Sequence, residues 1–165
     1  MRRRNGQSTM EFALTFSAIT VPLTFAVIFT SQLLWVWHSV VEFTRDGARY
    51  AATHCYAGGD NVTAYMRTHV PVNIDQDQFT SGTADISVTY YQRDPSSGQF
   101  TEFSCDGAQC STECVPDAVT VQVTGYQFRR VLTGFGIPPV PLPDFRTSLP
   151  VESAGCRPDS TDCVE

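Results

Sequence analysis

The sequence predicts an α+β protein, in which one long N-terminal transmembrane helix is followed by a small disulfide-stabilised head built on an antiparallel sheet. Three observations carry this. No Asp, Glu, Lys or Arg occurs from Phe12 to Val41, all six cysteines lie downstream of that run, and two later segments alternate apolar and polar residues with the period of a strand.

The apolar run, FALTFSAITVPLTFAVIFTSQLLWVW, occupies residues 12–37 and is longer than the ~20 residues that cross a bilayer. A cleaved secretion signal has an apolar core of ~7–15 residues and a small-residue cut site beyond it. This run ends instead in Trp35, Val36, Trp37 and His38. Arg2, Arg3 and Arg4 precede it, and Glu42, Arg45, Asp46 and Arg49 follow. That asymmetry predicts a cytoplasmic N-terminus and an outward-facing remainder. Within the span, Pro22 removes one backbone hydrogen bond and is expected to kink or loosen the helix. Ala13, Ser17, Thr20, Thr24 and Ser31 form a broken stripe of small or hydroxyl residues, suited to close helix packing or to bonding their own helix carbonyls.

Beyond the span, Val36, Val40, Phe43, Gly47, Tyr50 and Ala51 recur at helical spacing, so the helix is expected to run from Thr9 to about Thr53, roughly 65 Å at ~1.5 Å per residue. Gly47 and Ala48 allow close approach of another backbone, while Arg45, Asp46 and Arg49 can form ion pairs on the exposed side. The apolar face serves either its own head or a neighbouring subunit.

The head is read as residues 54–165. Gly58 and Gly59 end the first helix, and Asp60 starts a short one that runs to about His69 and stops before Pro71. ADISVTYYQR buries Ile86, Val88 and Tyr90 on one face, and DAVTVQVTGYQF does the same with Val119, Val121 and Val123. Between them a turn is expected at Asp94 to Gly98 and a short strand at Gln99 to Ser104. From Gly134, GFGIPPVPLPDF is held extended by its prolines, and a last strand is expected from Arg146 to Glu152. No internal repeat is evident.

Cys55, Cys105, Cys110, Cys114, Cys156 and Cys163 are disulfide candidates for an oxidising compartment, which agrees with the orientation drawn from charge. Cys105 with Cys114, or Cys156 with Cys163, would close short loops, but spacing does not choose between pairings. Their spacings are not those of a zinc site, and neither metal nor cofactor is expected. Asp75 and Asp77 in NIDQDQF lack the rest of a calcium loop and read as a solvated turn. His38, His54 and His69 are scattered, with no nucleophile and base in a recognisable motif, so no enzyme is expected.

The net charge is −6, and loss of residues 1–6 would take three of the 11 basic residues and leave 8 against 17 acidic, a net −9. Such a chain repels phosphate backbones, and nucleic acid is not an expected partner.

The string GQSTMEF directly after RRRN resembles a type IV-type prepilin processing site, and RDGARYAA at residues 45–52 resembles the motif that follows the helix in TadE-family proteins of the tight-adherence (Flp-type) pilus system. The resemblance implies a basic leader, residues 1–6, cut by a prepilin peptidase between Gly6 and Gln7. Gly6 would enter the peptidase in an extended conformation. Glu11 then becomes the fifth residue, standing against Phe12 at the start of the span. A carboxylate there costs ~2.5–3.5 kcal/mol and needs a partner. The resemblance supplies one, the freed amino group of a neighbouring subunit, as a register device in assembly. It implies a minor pilin or pseudopilin of the inner membrane, with its head in the periplasm or in an extracellular pilus, and with other pilin subunits and the assembly machinery as partners. With no phosphate-binding glycine loop, the chain is not the assembly motor. An adhesin or tip protein on a pilin stem is the alternative, and the ligand of such a head is unknown.

Overall fold

A computed structural model describes residues 5–56, 60–105, 110–112, 114–129, 132–151 and 156. The chain divides into two units, Met1–Trp35 and Val36–Glu165.

The first unit is the greater part of helix α1, Asn5–Thr53, which continues without interruption through Pro22. It starts earlier than Thr9 because nothing from Asn5 to Ser8 prevents helix formation; Gly6 merely weakens the first turn, by ~1 kcal/mol relative to alanine. Large apolar side chains including Phe12, Phe16, Ile19, Leu23 and Leu34 are exposed along it. Among the described residues, α1 is the one helix long and apolar enough to cross a membrane.

The second unit is the α+β head. It begins with the last turns of α1 and adds α2 (Asp60–Thr68) and a short α3 (Asp77–Thr80). The strands are β1 (Asp85–Arg93), β2 (Phe100–Glu102), β3 (Ala118–Thr124), β4 (Gln127–Phe128), β5 (Val140–Pro141) and β6 (Phe145–Pro150). Four of them form an antiparallel sheet in the order β2-β1-β3-β6, and β4 pairs with β5 alone. The register sets Ile86 opposite Val123, Val88 opposite Val121 and Tyr90 opposite Val119. It also sets Val123 opposite Phe145 across the second seam. These side chains therefore share one face, as the two-residue period requires.

That face is covered by α1. Val36, Val40, Phe43, Thr44, Ala48 and Ala51 are buried, at offsets of three and four residues. Trp37 meets Phe145 edge-on with ring centres 5.0 Å apart, and Phe43 lies 5.7 Å from Phe79. The Thr44 and Thr147 hydroxyls bond at 3.1 Å, so this polar pair on the seam satisfies itself. The apolar face of the outer part of α1 thus packs on its own head.

Several boundaries differ from expectation. β6 starts one residue earlier than Arg146 and ends at Pro150, and α2 ends at Thr68. Gly134 and Phe135 lie in a 3-10 turn, Thr133–Phe135, just ahead of the prolines. The extended segment that follows supplies β5. NIDQDQF is not only a turn, since Asp77–Thr80 forms α3 and buries Gln78 and Phe79. Gln78 replaces a strand there: its amide donates to the Gln127 carbonyl at 2.8 Å and accepts the Gln127 N–H at 2.8 Å. Gly58 and Gly59, expected to end α1, lie outside the described residues.

Among the described residues two disulfides join pairs within the head, Cys55–Cys110 and Cys105–Cys114. The second is one of the two short loops that the spacing allowed; the first joins the end of α1 to a distant loop. Cys156 is also disulfide-bonded. Cys163 lies outside the described residues.

Candidate functional site

The residues singled out by sequence fall into two stretches of α1. In the first, Gly6 and Gln7 sit in the opening turn of the helix. Glu11 is on the helix surface, with its backbone carbonyl accepting from Thr15 Oγ1 at 2.8 Å. Phe12 stacks on Phe16 with ring centres 5.9 Å apart. The hydroxyl stripe bonds to its own backbone: Ser17 donates to the Ala13 carbonyl at 2.8 Å, and Thr24 to the Thr20 carbonyl at 2.7 Å. These bonds give the two hydroxyls partners within their own helix.

The second stretch is Arg45, Asp46, Gly47, Ala48, Arg49 and Tyr50, within the head unit. Helical geometry splits it into an outer and an inner face. On the outer face, Arg45 pairs with Glu42 at 2.6 Å and Arg49 with Asp46 at 3.4 Å, all of them well exposed. Pairs of this kind are worth at most ~1 kcal/mol, so their contribution is a charged, soluble surface more than stability. On the inner face, Ala48 is fully buried, and Gly47 lies against Met66 of α2 so closely that an added Cβ would overlap the thioether. Glycine at position 47 thus makes room for the Met66 side chain between the helices, at some expense of helix propensity. A cavity of about 60 Å³ remains beside it, lined by residues that include Phe43, Tyr65, Met66 and His69.

Tyr50 enters a four-ring stack that sequence reading missed. Its ring lies 3.8 Å from His54 on one side and 3.8 Å from Tyr65 on the other, and Tyr65 lies 4.2 Å from His69. Each His Nδ1 is 2.9 Å from the carbonyl of the Tyr four residues earlier. The signal was present: YAATH at 50–54 and YMRTH at 65–69 repeat one pattern, Tyr-x-x-Thr-His, at the ends of α1 and α2. The four-residue spacing places each ring pair on one helix face. Two helix ends are stacked together by the repeat, and the histidines are accounted for structurally.

Elsewhere, the Tyr90 hydroxyl is buried with no hydrogen-bond partner among the described residues, and burial pushes its pKa up to about 12. Among the described residues, no group of three or more His, Cys, Asp or Glu side chains is placed to hold a metal ion.

The first unit is an apolar helix that carries a small-residue stripe, and the second is a small α+β head that contains a glycine-mediated helix junction. The chain is TadE-like over residues 6–49, where the TadE-like protein family model matches. This match starts at Gly6 and ends at Arg49, so it contains the GQSTMEF string and most of RDGARYAA and leaves the head beyond α1 outside. It associates the chain with the tight-adherence pilus system. Nothing among the curated proteins and nothing among the solved structures matches the chain.

Proposed function

We propose that the chain is a minor pilin or pseudopilin of the tight-adherence pilus, a structural component and not an enzyme. The observation that carries this is the TadE-like match over residues 6–49. In this reading the arginine-rich leader stays in the cytoplasm, α1 spans the inner membrane over about residues 12–37, and the head is periplasmic. The prepilin peptidase cuts between Gly6 and Gln7. Gly6 suits that step, because it makes the opening turn of α1 easier to unwind into the extended conformation a peptidase needs.

After cleavage, Glu11 is the fifth residue of the shortened chain. Held at the edge of hydrocarbon, its carboxylate is stabilised by the new amino group of Gln7 in an adjacent subunit, and this fixes the register of one helix on the next. The exposed apolar side chains of the first unit then exchange lipid for neighbouring helices when the subunit enters a filament. The head keeps the outer part of α1 covered throughout, so it travels as a preformed body.

The test is complementation of a strain lacking this gene. Wild-type protein should restore pili, whereas Glu11→Ala should reach the membrane in normal amount and fail to restore them. Full piliation by Glu11→Ala would remove the register role. Full piliation without any copy of the gene would remove the pilus role itself.

A further inference from the structure

We propose that the head is a substrate of a thiol–disulfide isomerase, whose thiolate rearranges the bonds of Cys55, Cys105, Cys110 and Cys114 before the head closes. This rests on the outward-facing reading above, which places these cysteines in an oxidising compartment. Of the pairings open to four cysteines, the head holds the interleaved one, Cys55–Cys110 with Cys105–Cys114.

Chain order favours a different pairing. The head emerges behind the span with Cys55 first, then Cys105, Cys110 and Cys114. A disulfide-donating oxidase, which removes two electrons and two protons per bond, therefore meets Cys55 with Cys105 before Cys110 is present. Cys110 and Cys114 remain, and their loop is shorter than the 9-residue separation of Cys105 and Cys114, which closure entropy favours ~3-fold.

The native pairing depends instead on the finished sheet. β2 and β3 lie on opposite sides of β1. The Phe103 N–H donates to the Tyr90 carbonyl, and the Asp117 N–H to the Tyr91 carbonyl. Both ends of the cysteine loop are thereby fixed on neighbouring residues of one strand, and Cys105 meets Cys114 there. Cys110 is left for Cys55 at the end of α1, with its backbone at φ 61°, a left-handed conformation that few non-glycine residues adopt. Before the sheet forms, neither proximity nor local preference selects this arrangement.

A chain bonded in sequence order does not correct itself. Among the described residues no cysteine is free. The consecutively bonded chain is equally without a thiolate of its own, and exchange needs one from outside. In the finished head Cys55 and Cys114 are 3% and 2% exposed, so exchange has to precede closure. The external thiolate attacks Cys105 Sγ, forming a mixed disulfide and releasing Cys55 as thiolate. Cys55 attacks Cys110 Sγ, which forms one native bond and releases Cys114. Cys114 then attacks Cys105 Sγ, which forms the other native bond and returns the external thiolate. Each S–S bond formed replaces one broken, with no net oxidation.

The test uses the full chain expressed in cells with and without their envelope thiol–disulfide isomerase, acid-quenched and alkylated to block free thiols. Cleavage before Asp106 and after Glu113 puts Cys105, Cys110 and Cys114 on separate peptides, so non-reducing mass mapping reads their bonds. Native bonds are expected with the isomerase. Without it the natively bonded share should fall ~3-fold or more, with non-native bonds in its place, chiefly Cys55–Cys105 and Cys110–Cys114. A variant carrying Cys105→Ser with Cys114→Ser has no interleaving, and its Cys55–Cys110 bond should form equally in both strains. Native bonds in both strains for the unaltered chain would overturn this proposal alone, as would an equal dependence of the variant on the isomerase. Should the chain be degraded without the isomerase, the variant is expected to escape that loss, and equal loss of both would likewise overturn the proposal. Free thiols throughout, in cells that hold the isomerase, would overturn the outward-facing reading and the proposal with it.

Discussion

Replacing Gly47 by alanine tests how the close junction between α1 and α2 is built. An added Cβ would overlap the Met66 Sδ, with Met66 Cε at 2.8 Å and Cγ at 3.1 Å. Overpacking of this kind costs ~1–3 kcal/mol, and the exchange returns ~1 kcal/mol in helix propensity. The small cavity beside Met66 gives the thioether somewhere to move, so the net loss should fall near ~1 kcal/mol, a fall in Tm of about 2–4 °C for a chain of this size. The decisive comparison is made with Met66→Ala, which alone should cost ~2–5 kcal/mol. In that background Gly47→Ala should stabilise, because only the propensity gain remains. Thermal unfolding of the four proteins in detergent, followed by near-ultraviolet circular dichroism, measures the coupling. An equal effect of Gly47→Ala with and without the Met66 side chain would refute the close-approach explanation.

Other expectations follow from the head. Loop-closure entropy makes the Cys55–Cys110 bond, which spans 55 residues, worth ~4 kcal/mol against ~2.6 kcal/mol for Cys105–Cys114, which spans 9. Denaturant unfolding of the two double Cys→Ser variants should preserve that order. Gln78→Leu should cost ~2–4 kcal/mol in the same assay, because it leaves the Gln127 N–H and carbonyl without their amide partner. Tyr90→Phe should not destabilise, since it removes a buried hydroxyl with no hydrogen-bond partner among the described residues; a loss above ~1 kcal/mol would reveal a partner. The Ser96 hydroxyl, with the Ser96 N–H and the Ser97 hydroxyl, holds the Asp94 carboxyl down at about 2. A lowered folded pKa means that this contribution is present above the ordinary value of 3.8 and is lost as pH falls towards 2. Asp94→Asn should therefore flatten the pH dependence of stability in that window, read by thermal melts between pH 4 and pH 2.

The helix and the main strands were legible because each has a period that burial must respect. Val36, Val40 and Phe43 mark one face of α1 at three- and four-residue steps, and Val119, Val121 and Val123 mark one face of β3 at two. Where the structure depends on single contacts between distant residues, no period announces it. Gln78 does the work of a strand from a four-residue helix, and its partner Gln127 is 49 residues away. The partner of Cys55 is likewise remote, 55 residues away, and spacing could not choose it. Gly47 and Ala48 were readable as a place of close approach, but not that Met66 approaches. The Tyr-x-x-Thr-His repeat lay in plain view and carried meaning only once both helices were seen to end side by side.

The central claim, that residues 1–6 are a leader removed to create a pilin-type N-terminus, is tested most directly by sequencing the N-terminus of the protein from membranes of wild-type and prepilin-peptidase-deficient cells. The account predicts Gln7 as the first residue in wild-type membranes and an intact leader without the peptidase. A different N-terminus in wild-type cells, or one that stays the same when the peptidase is lost, would contradict it.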